Sequence, residues 1–119
     1  MWNIPGGVIE ANESPRQGCR REVREELGLD KTLERLLCVE YTPAVAKEAE
    51  KLVFIFWGCV LTAGEIATIH LPVDELSEYC FLPVEEALAL LPPDKAARAR
   101  HSLTMVDKEG AAYRETEIG

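Results

Sequence analysis

Glu22, Glu25 and Glu26 stand at i, i+3 and i+4, a spacing that sets their carboxylates at neighbouring points of one helical face. Like charges so placed repel, and each pair weakens an isolated helix by about 0.2–0.5 kcal/mol. A hard divalent cation offsets that repulsion. Magnesium takes oxygen ligands in octahedral geometry and shares its sphere among carboxylates, waters and substrate phosphates, so the helix reads as a metal platform. For the glutamates taken alone, the simpler alternative is an acidic face turned to solvent, and the residues around them must decide.

Those residues first define the helix. Ser14 is a capping residue, Pro15 suits the first helical position, Gln17 completes a capping box and Gly28 sits just past the end, so the signals predict a helix over 15–27. Cys19, Val23 and Leu27 form its inward stripe, and Gly18 costs it roughly 1 kcal/mol against Ala. Ahead of it, Pro5-Gly6-Gly7 makes a joint where the backbone can approach a ligand closely.

Further along, Leu36 to Thr42 reads as a strand, and the apolar run Leu52 to Leu61 as a central strand buried on both faces, with Phe54 and Trp57 in the core. The intervening Ala44 to Lys51 is expected to be a loop near the pocket mouth. Glu78 to Leu82 is a shorter strand candidate stopped by Pro83, followed by a helix over Val84 to Leu91. A last helix is expected from Asp94 to Gly110, packing Ala96, Ala99, Leu103 and Val106 inward and leaving Lys95, Arg98, Arg100 and His101 as a solvated face. Residues 111–119 either add an edge strand around Tyr113 or fray.

The bulk properties restrict what these elements do. A chain of 119 residues is the size of one domain, read as 1–119. A net charge of −8 leaves no surplus of cations to track a nucleic-acid polymer. An anionic small molecule remains admissible if bound cations invert the local potential. The longest apolar stretch is about half of a membrane span, and the expectation is a soluble, cytoplasmic protein with no membrane partner. Cys19, Cys38, Cys59 and Cys80 lie far apart without zinc-site spacing, so they read as buried free thiols, and neither His70 nor His101 is given a catalytic role.

The run from Gly7 through Glu13 to Arg21-Glu22-Val23-Arg24-Glu25-Glu26-Leu27-Gly28-Leu29 resembles the signature of the Nudix family, G-x5-E-x7-R-E-U-x-E-E-x-G-U with U bulky aliphatic, and meets it at every fixed position. Trp2-Asn3-Ile4-Pro5-Gly6-Gly7 is similar to the W-x-x-P-G-G approach common in that family. The resemblance implies an α/β (α+β) Nudix fold, a mixed sheet sandwiched between helices. It implies a pyrophosphohydrolase acting on a nucleoside diphosphate linked to another moiety, of ADP-ribose, dinucleotide or nucleoside triphosphate type, by attack of a metal-activated water. Glu22, Glu25 and Glu26 match the family's ligands for magnesium, with manganese as a substitute, and Gly6 matches the residue whose carbonyl often completes the sphere. Gly7, Glu13, Arg21 and Gly28 match supporting positions. Glu22 or Glu25 is a candidate for taking the water's proton, as is Glu78, with Asp74 and Glu75 as competitors.

Members of that family usually carry strands ahead of the W-x-x-P-G-G segment. Little precedes Trp2 here, so the expectation is an N-terminally truncated domain that completes its sheet by forming a homodimer, through strand exchange. The alternative function is a catalytically weak or inactive nucleotide-binding or interaction module.

Overall fold

The computed structural model describes residues 2–71 and 79–117. Helix α1 occupies Pro15–Leu27, the range its caps predict. The Ser14 hydroxyl accepts the Gln17 N–H at 3.1 Å, and the Gln17 side chain accepts the Ser14 N–H at 2.8 Å. Gly28 closes the helix with φ 72°, a left-handed torsion that would cost a residue carrying a Cβ roughly 1–2 kcal/mol.

Strands β1 (Leu36–Thr42), β2 (Lys51–Phe56) and β3 (Ala112–Glu115) form a mixed sheet of order β2-β1-β3. β2 runs antiparallel to β1, and β3 runs parallel to it. Three more helices complete the described elements: α2 (Ala63–Ala67), α3 (Val84–Ala89) and α4 (Pro93–Thr104).

Strand register shows that α1 and α4 cover opposite faces of the sheet. Cys38 stands opposite Ile55, and side chains directly opposite share a face while neighbours along a strand alternate. Cys38, Glu40 and Ile55 therefore share one face, and Phe56 belongs to the other. Arg98 of α4 donates to Glu40 at 2.8 Å, whereas the Arg16 guanidinium of α1 lies 5.4 Å from the centroid of the Phe56 ring. The sheet is thus sandwiched between helices.

Charge sits in the middle of this packing. Glu40 is 1% exposed and Arg98 8%. Glu40 accepts from Arg98 Nε at 2.8 Å, Arg114 Nε at 2.7 Å and the Thr116 hydroxyl at 2.9 Å, which joins β1, β3 and α4 through one carboxylate. Burial pushes the Glu40 carboxyl up, but the bonds from Arg114, Arg98 and Thr116 outweigh it and hold the group below the usual carboxylate range. The apolar core among the described residues is small: Leu29, Leu33, Leu37, Cys38 and Leu88. Arg35 adds a clamp at the C-terminal end of α4, donating to the carbonyl of Met105 at 2.7 Å and to those of Lys108 and Gly110.

Several expectations are corrected. Among the described residues the apolar run after Leu52 is an edge strand, not a central one: it ends at Phe56, and Cys59 turns to φ 63° after Gly58. Phe54 and Trp57 are only half-buried. Residues 44–51 form a hairpin turn bridged by Val45 and Glu48 before β2 begins at Lys51, and do not line the cavity described below. Of the strand expected at 78–82, Glu78 lies outside the described residues and Tyr79–Leu82 is not a strand. The last helix begins at Pro93 and ends at Thr104, short of Gly110. Its buried positions are Arg98 and Ser102, while Leu103 is exposed, since Glu40 draws a cation inward where an aliphatic stripe is expected. The four cysteines are free, but Cys59 and Cys80 are exposed.

Replacing Glu40 with Gln leaves Arg98 buried without a counter-charge and should cost about 3–5 kcal/mol in urea unfolding at neutral pH. Because the Glu40 pKa is depressed in the folded state, its contribution is complete above the ordinary glutamate range and is lost as the pH falls through the folded value. Unfolding titrations stepped down from neutral pH should show a smaller acid-limb loss in Glu40→Gln than in the wild type. Parallel losses would assign the acid limb to other groups.

Candidate functional site

The surface of α1 around Arg21 gathers most of the residues singled out by spacing. Arg21 Nε donates to Glu13 Oε2 at 2.8 Å and its Nη2 to Glu13 Oε1 at 3.2 Å. Nη2 also donates to the Val8 carbonyl at 3.1 Å, while Nη1 reaches Glu22 at 2.8 Å and Glu25 at 3.1 Å. One planar guanidinium therefore fastens the loop ahead of α1 to two of its glutamates. The hydrogen bonds from Arg21 and from the Glu10 amide hold the Glu13 carboxyl below its usual range, and Glu13 and Glu22 hold the Arg21 guanidinium above its own.

Glu26 faces a different partner: the Gly6 N–H donates to its Oε2 at 3.0 Å. Two glycines permit this closeness. A Cβ on Gly7 would sit 2.5 Å from Cδ of Glu22, and one on Gly18 would sit 2.9 Å from Oε1 of Glu13. A Cβ on Gly28 would meet that of His70 at 3.3 Å, where the His70 N–H donates to the Leu27 carbonyl at 2.8 Å. His70 thereby ties the end of α1 to the segment leading to Leu71.

The structure thus brings together Gly6, Gly7, Glu13, Arg21, Glu22, Glu25 and Glu26, while Glu78, Asp74 and Glu75 lie outside the described residues. Cys19 shares this helix, and burial, followed by the charges of Glu26 and Glu22, pushes its thiol up, away from the reactive thiolate form.

The donor set, carboxylate oxygens on one helical face, suits a hard divalent ion. Among the described residues, however, no group of three or more His, Cys, Asp and Glu side chains converges on a point where it could hold one. The reason is visible: Arg21 engages Glu22 and Glu25, and Glu26 turns to the Gly6 amide. Repulsion between the glutamates, which spacing alone assigns to a cation to relieve, is here met by a guanidinium.

Beside Glu26 opens a cavity of about 440 Å³. It is lined by the Trp2–Gly6 segment, by Glu26 and Leu27 of α1, and by Leu61, Ile69, Leu71 and Tyr79–Phe81. Tyr79 and Phe81 meet edge to face, with centroids 5.9 Å apart at 80°. Sequence reasoning missed this cavity, and its one legible signal was the aromatic-x-aromatic pattern at 79–81.

Comparison with known proteins gives the following. The NUDIX domain family model matches residues 1–105. A protein named 8-oxo-dGTP diphosphatase from Proteus vulgaris is 50% identical over 32 residues, covering 27% of this chain and 29% of that one. Nucleoside triphosphatase NudI of Salmonella schwarzengrund (strain CVM19633) is 28% identical over 118 residues, covering 88% of this chain and 75% of its own. A MutT-like protein of Streptomyces ambofaciens is 32% identical over 84 residues, covering 65% of this chain and 51% of its own. The match with the Streptomyces protein thus spans about half of that relative's length, and the match with the Proteus protein less than a third. No solved structure matches.

Gly7→Ala should displace the Glu22 carboxylate from Arg21 and cost no more than about 1 kcal/mol in urea unfolding, the scale of a solvent-accessible ion pair. Gly18→Ala would ordinarily strengthen a helix by roughly 1 kcal/mol. Here it should bring no gain, because Glu13 occupies the space. A stabilised Gly18→Ala variant would show that the Glu13 carboxylate is not held against the helix.

Proposed function

The chain belongs to the NUDIX family, and on that premise we propose that it hydrolyses the pyrophosphate bond of a nucleoside diphosphate linked to another group, by attack of water. It is a pyrophosphohydrolase of that family. The names of its relatives, a nucleoside triphosphatase and an 8-oxo-dGTP diphosphatase, favour a nucleoside triphosphate over ADP-ribose or a dinucleotide as substrate. The observation that carries this reading is Arg21, which aligns Glu22 and Glu25 while anchored to Glu13 and the Val8 carbonyl.

Glu22, Glu25 and Glu26, with the Gly6 carbonyl, are the groups that would hold magnesium, and manganese would substitute. When bound, the ion supplies Lewis acidity toward phosphoryl oxygens and lowers the pKa of water. Arg21 neutralises the glutamates until then, and its two bonds to Glu13 keep it in place when Glu22 and Glu25 are drawn to a cation. Glu22 or Glu25 accepts the proton of the attacking water, with Glu78 as the alternative base. Gly7 leaves the room that the Glu22 carboxylate occupies.

No helix among the described residues is long and apolar enough to cross a membrane, and we read the protein as a cytoplasmic enzyme. Among the described residues β2 and β3 are the edge strands and carry exposed Leu52 and Tyr113, which favours a homodimer through strand pairing or exchange. Sedimentation showing a stable monomer at working concentration would refute that. The engagement of Glu22 and Glu25 by Arg21 also favours a second reading, a nucleotide-binding module with little turnover. Tight nucleotide binding by calorimetry without product would decide for it.

With magnesium and a panel of nucleoside triphosphates, 8-oxo-dGTP and ADP-ribose, the protein should release a nucleoside monophosphate. Glu22→Gln and Glu25→Gln should each lower turnover at least about a hundredfold, and a chelator should abolish it until magnesium is returned. Arg21→Lys, which keeps the charge and loses the fork, should cost about ten- to a hundredfold with the fold intact by circular dichroism. Absence of turnover on the whole panel by a folded protein would overturn the hydrolase reading.

A further inference from the structure

We infer that Lys31 and Glu65 are positioning residues for the reaction: their ion pair fixes the 62–71 segment on the end of α1 and so sets where Ile69 and Leu71 stand relative to Glu26. The inference rests on the hydrolase reading, which makes the space next to Glu26 part of the substrate site. It adds two residues that belong neither to the glutamate face nor to the cavity lining.

The chain leaves β2 and returns to α1 along residues 57–71, and backbone hydrogen bonds hold this stretch near both limits. The Trp57 N–H donates to the Arg35 carbonyl at 2.9 Å, and the His70 N–H donates to the Leu27 carbonyl at 2.8 Å. Leu27 ends α1, where a helix leaves its last carbonyls unpaired, so His70 pairs an oxygen that the helix leaves open. Between those limits, among the described residues, one polar contact joins the segment to the rest of the chain: Lys31 Nζ donates to Glu65 Oε2 at 2.8 Å.

A segment held at one bond can turn about it, and a second attachment removes that freedom. Lys31 lies four residues after Leu27 and Glu65 five before His70, so the two attachments run in opposite order and lay the segment along the 28–31 connection. Glu65 carries the restraint to the cavity through a bonded turn. Its carbonyl accepts the Thr68 N–H at 3.0 Å, and that of Ile66 accepts the Ile69 N–H at 3.2 Å. Ile69 and Leu71, on either side of His70 in the chain, line the cavity with Glu26 and Leu27.

The Lys31 and Glu65 side chains are 17% and 32% exposed, which limits screening of the pair by salt. Lys31, followed by the Thr62 amide, holds the Glu65 carboxyl below its usual range. The other oxygen of the same carboxylate caps α2, accepting the Thr62 N–H at 3.0 Å. Because Arg21 holds Glu22 and Glu25 independently, loss of the pair should fall on substrate binding and leave the attack of water intact.

Amide hydrogen exchange of the full chain, read by nuclear magnetic resonance, tests the fastening without substrate. Lys31→Met removes the charge and keeps an apolar stem, and Glu65→Gln keeps an oxygen for the Thr62 amide. Either should speed exchange at the His70 amide about threefold or more, with the Trp57 and Gly28 amides unchanged, and Lys31→Arg should restore most of the protection. On the best substrate of the panel, both charge-removing variants should raise KM about threefold or more and leave kcat within about twofold. Equal acceleration at His70, Trp57 and Gly28 would mark a general loss of stability and overturn the inference. So would an unchanged His70 rate, or an unchanged KM beside a loosened His70. If the wild type turns nothing over, the hydrolase reading falls and calorimetry with ATP judges the pair: affinity about threefold weaker in Lys31→Met upholds it, and equal affinity overturns it.

Discussion

The arrangement around α1 depends on the planar fork of one arginine. A helix bearing three glutamates within five residues tends to unwind or to capture whatever cation is near. Arg21 offsets that repulsion by sharing its N–H groups among Glu13, Glu22, Glu25 and a loop carbonyl. Because Glu13 belongs to the loop rather than the helix, the same guanidinium fixes where the Gly6-Gly7 segment crosses the glutamate face. A lysine offers charge but not several fixed directions, so the requirement at this position is for geometry as much as for sign.

A second ionic centre does comparable work on the other face of the sheet. There the roles are reversed: one carboxylate, Glu40, is divided between two arginines and a threonine. The two centres differ in solvent access. Arg21 lies near the surface, where its partners can exchange it for another cation, whereas Glu40 is shut in and fixes the mutual position of β1, β3 and α4. One centre is suited to rearrangement during function and the other to holding the frame against which that occurs.

What could be read from the sequence followed from how local each signal is. The bounds of α1 were legible because Ser14, Pro15, Gln17 and Gly28 act within one turn of its ends, and β1 because its run has sharp limits. The position of β2 at an edge among the described residues was not legible, since hydrophobicity reports apolar neighbours without saying on how many sides they lie. The inward Arg98 was hidden for a related reason: its partner Glu40 is 58 residues away, and an isolated helical wheel assigns every charge to water. Helix α2 escaped notice although Thr62 and Glu65 form a capping box, because the apolar run before it was extended through Leu61. The roles of Gly7 and Gly18 emerged only with coordinates, since crowding by Glu22 and Glu13 is not encoded in spacing.

The parallel pairing of β3 with β1 has a consequence for biosynthesis. Arg114 and Thr116 leave the ribosome more than seventy residues after Glu40, so during most of translation that carboxylate has no partner from the final strand. The nascent chain can assemble α1 and the β1–β2 hairpin early, since their contacts are close in sequence, whereas Glu40 meets Arg98 only 58 residues on and Arg114 and Thr116 later still. Until then the half-built sheet offers an open flank to chaperones and to neighbouring nascent chains.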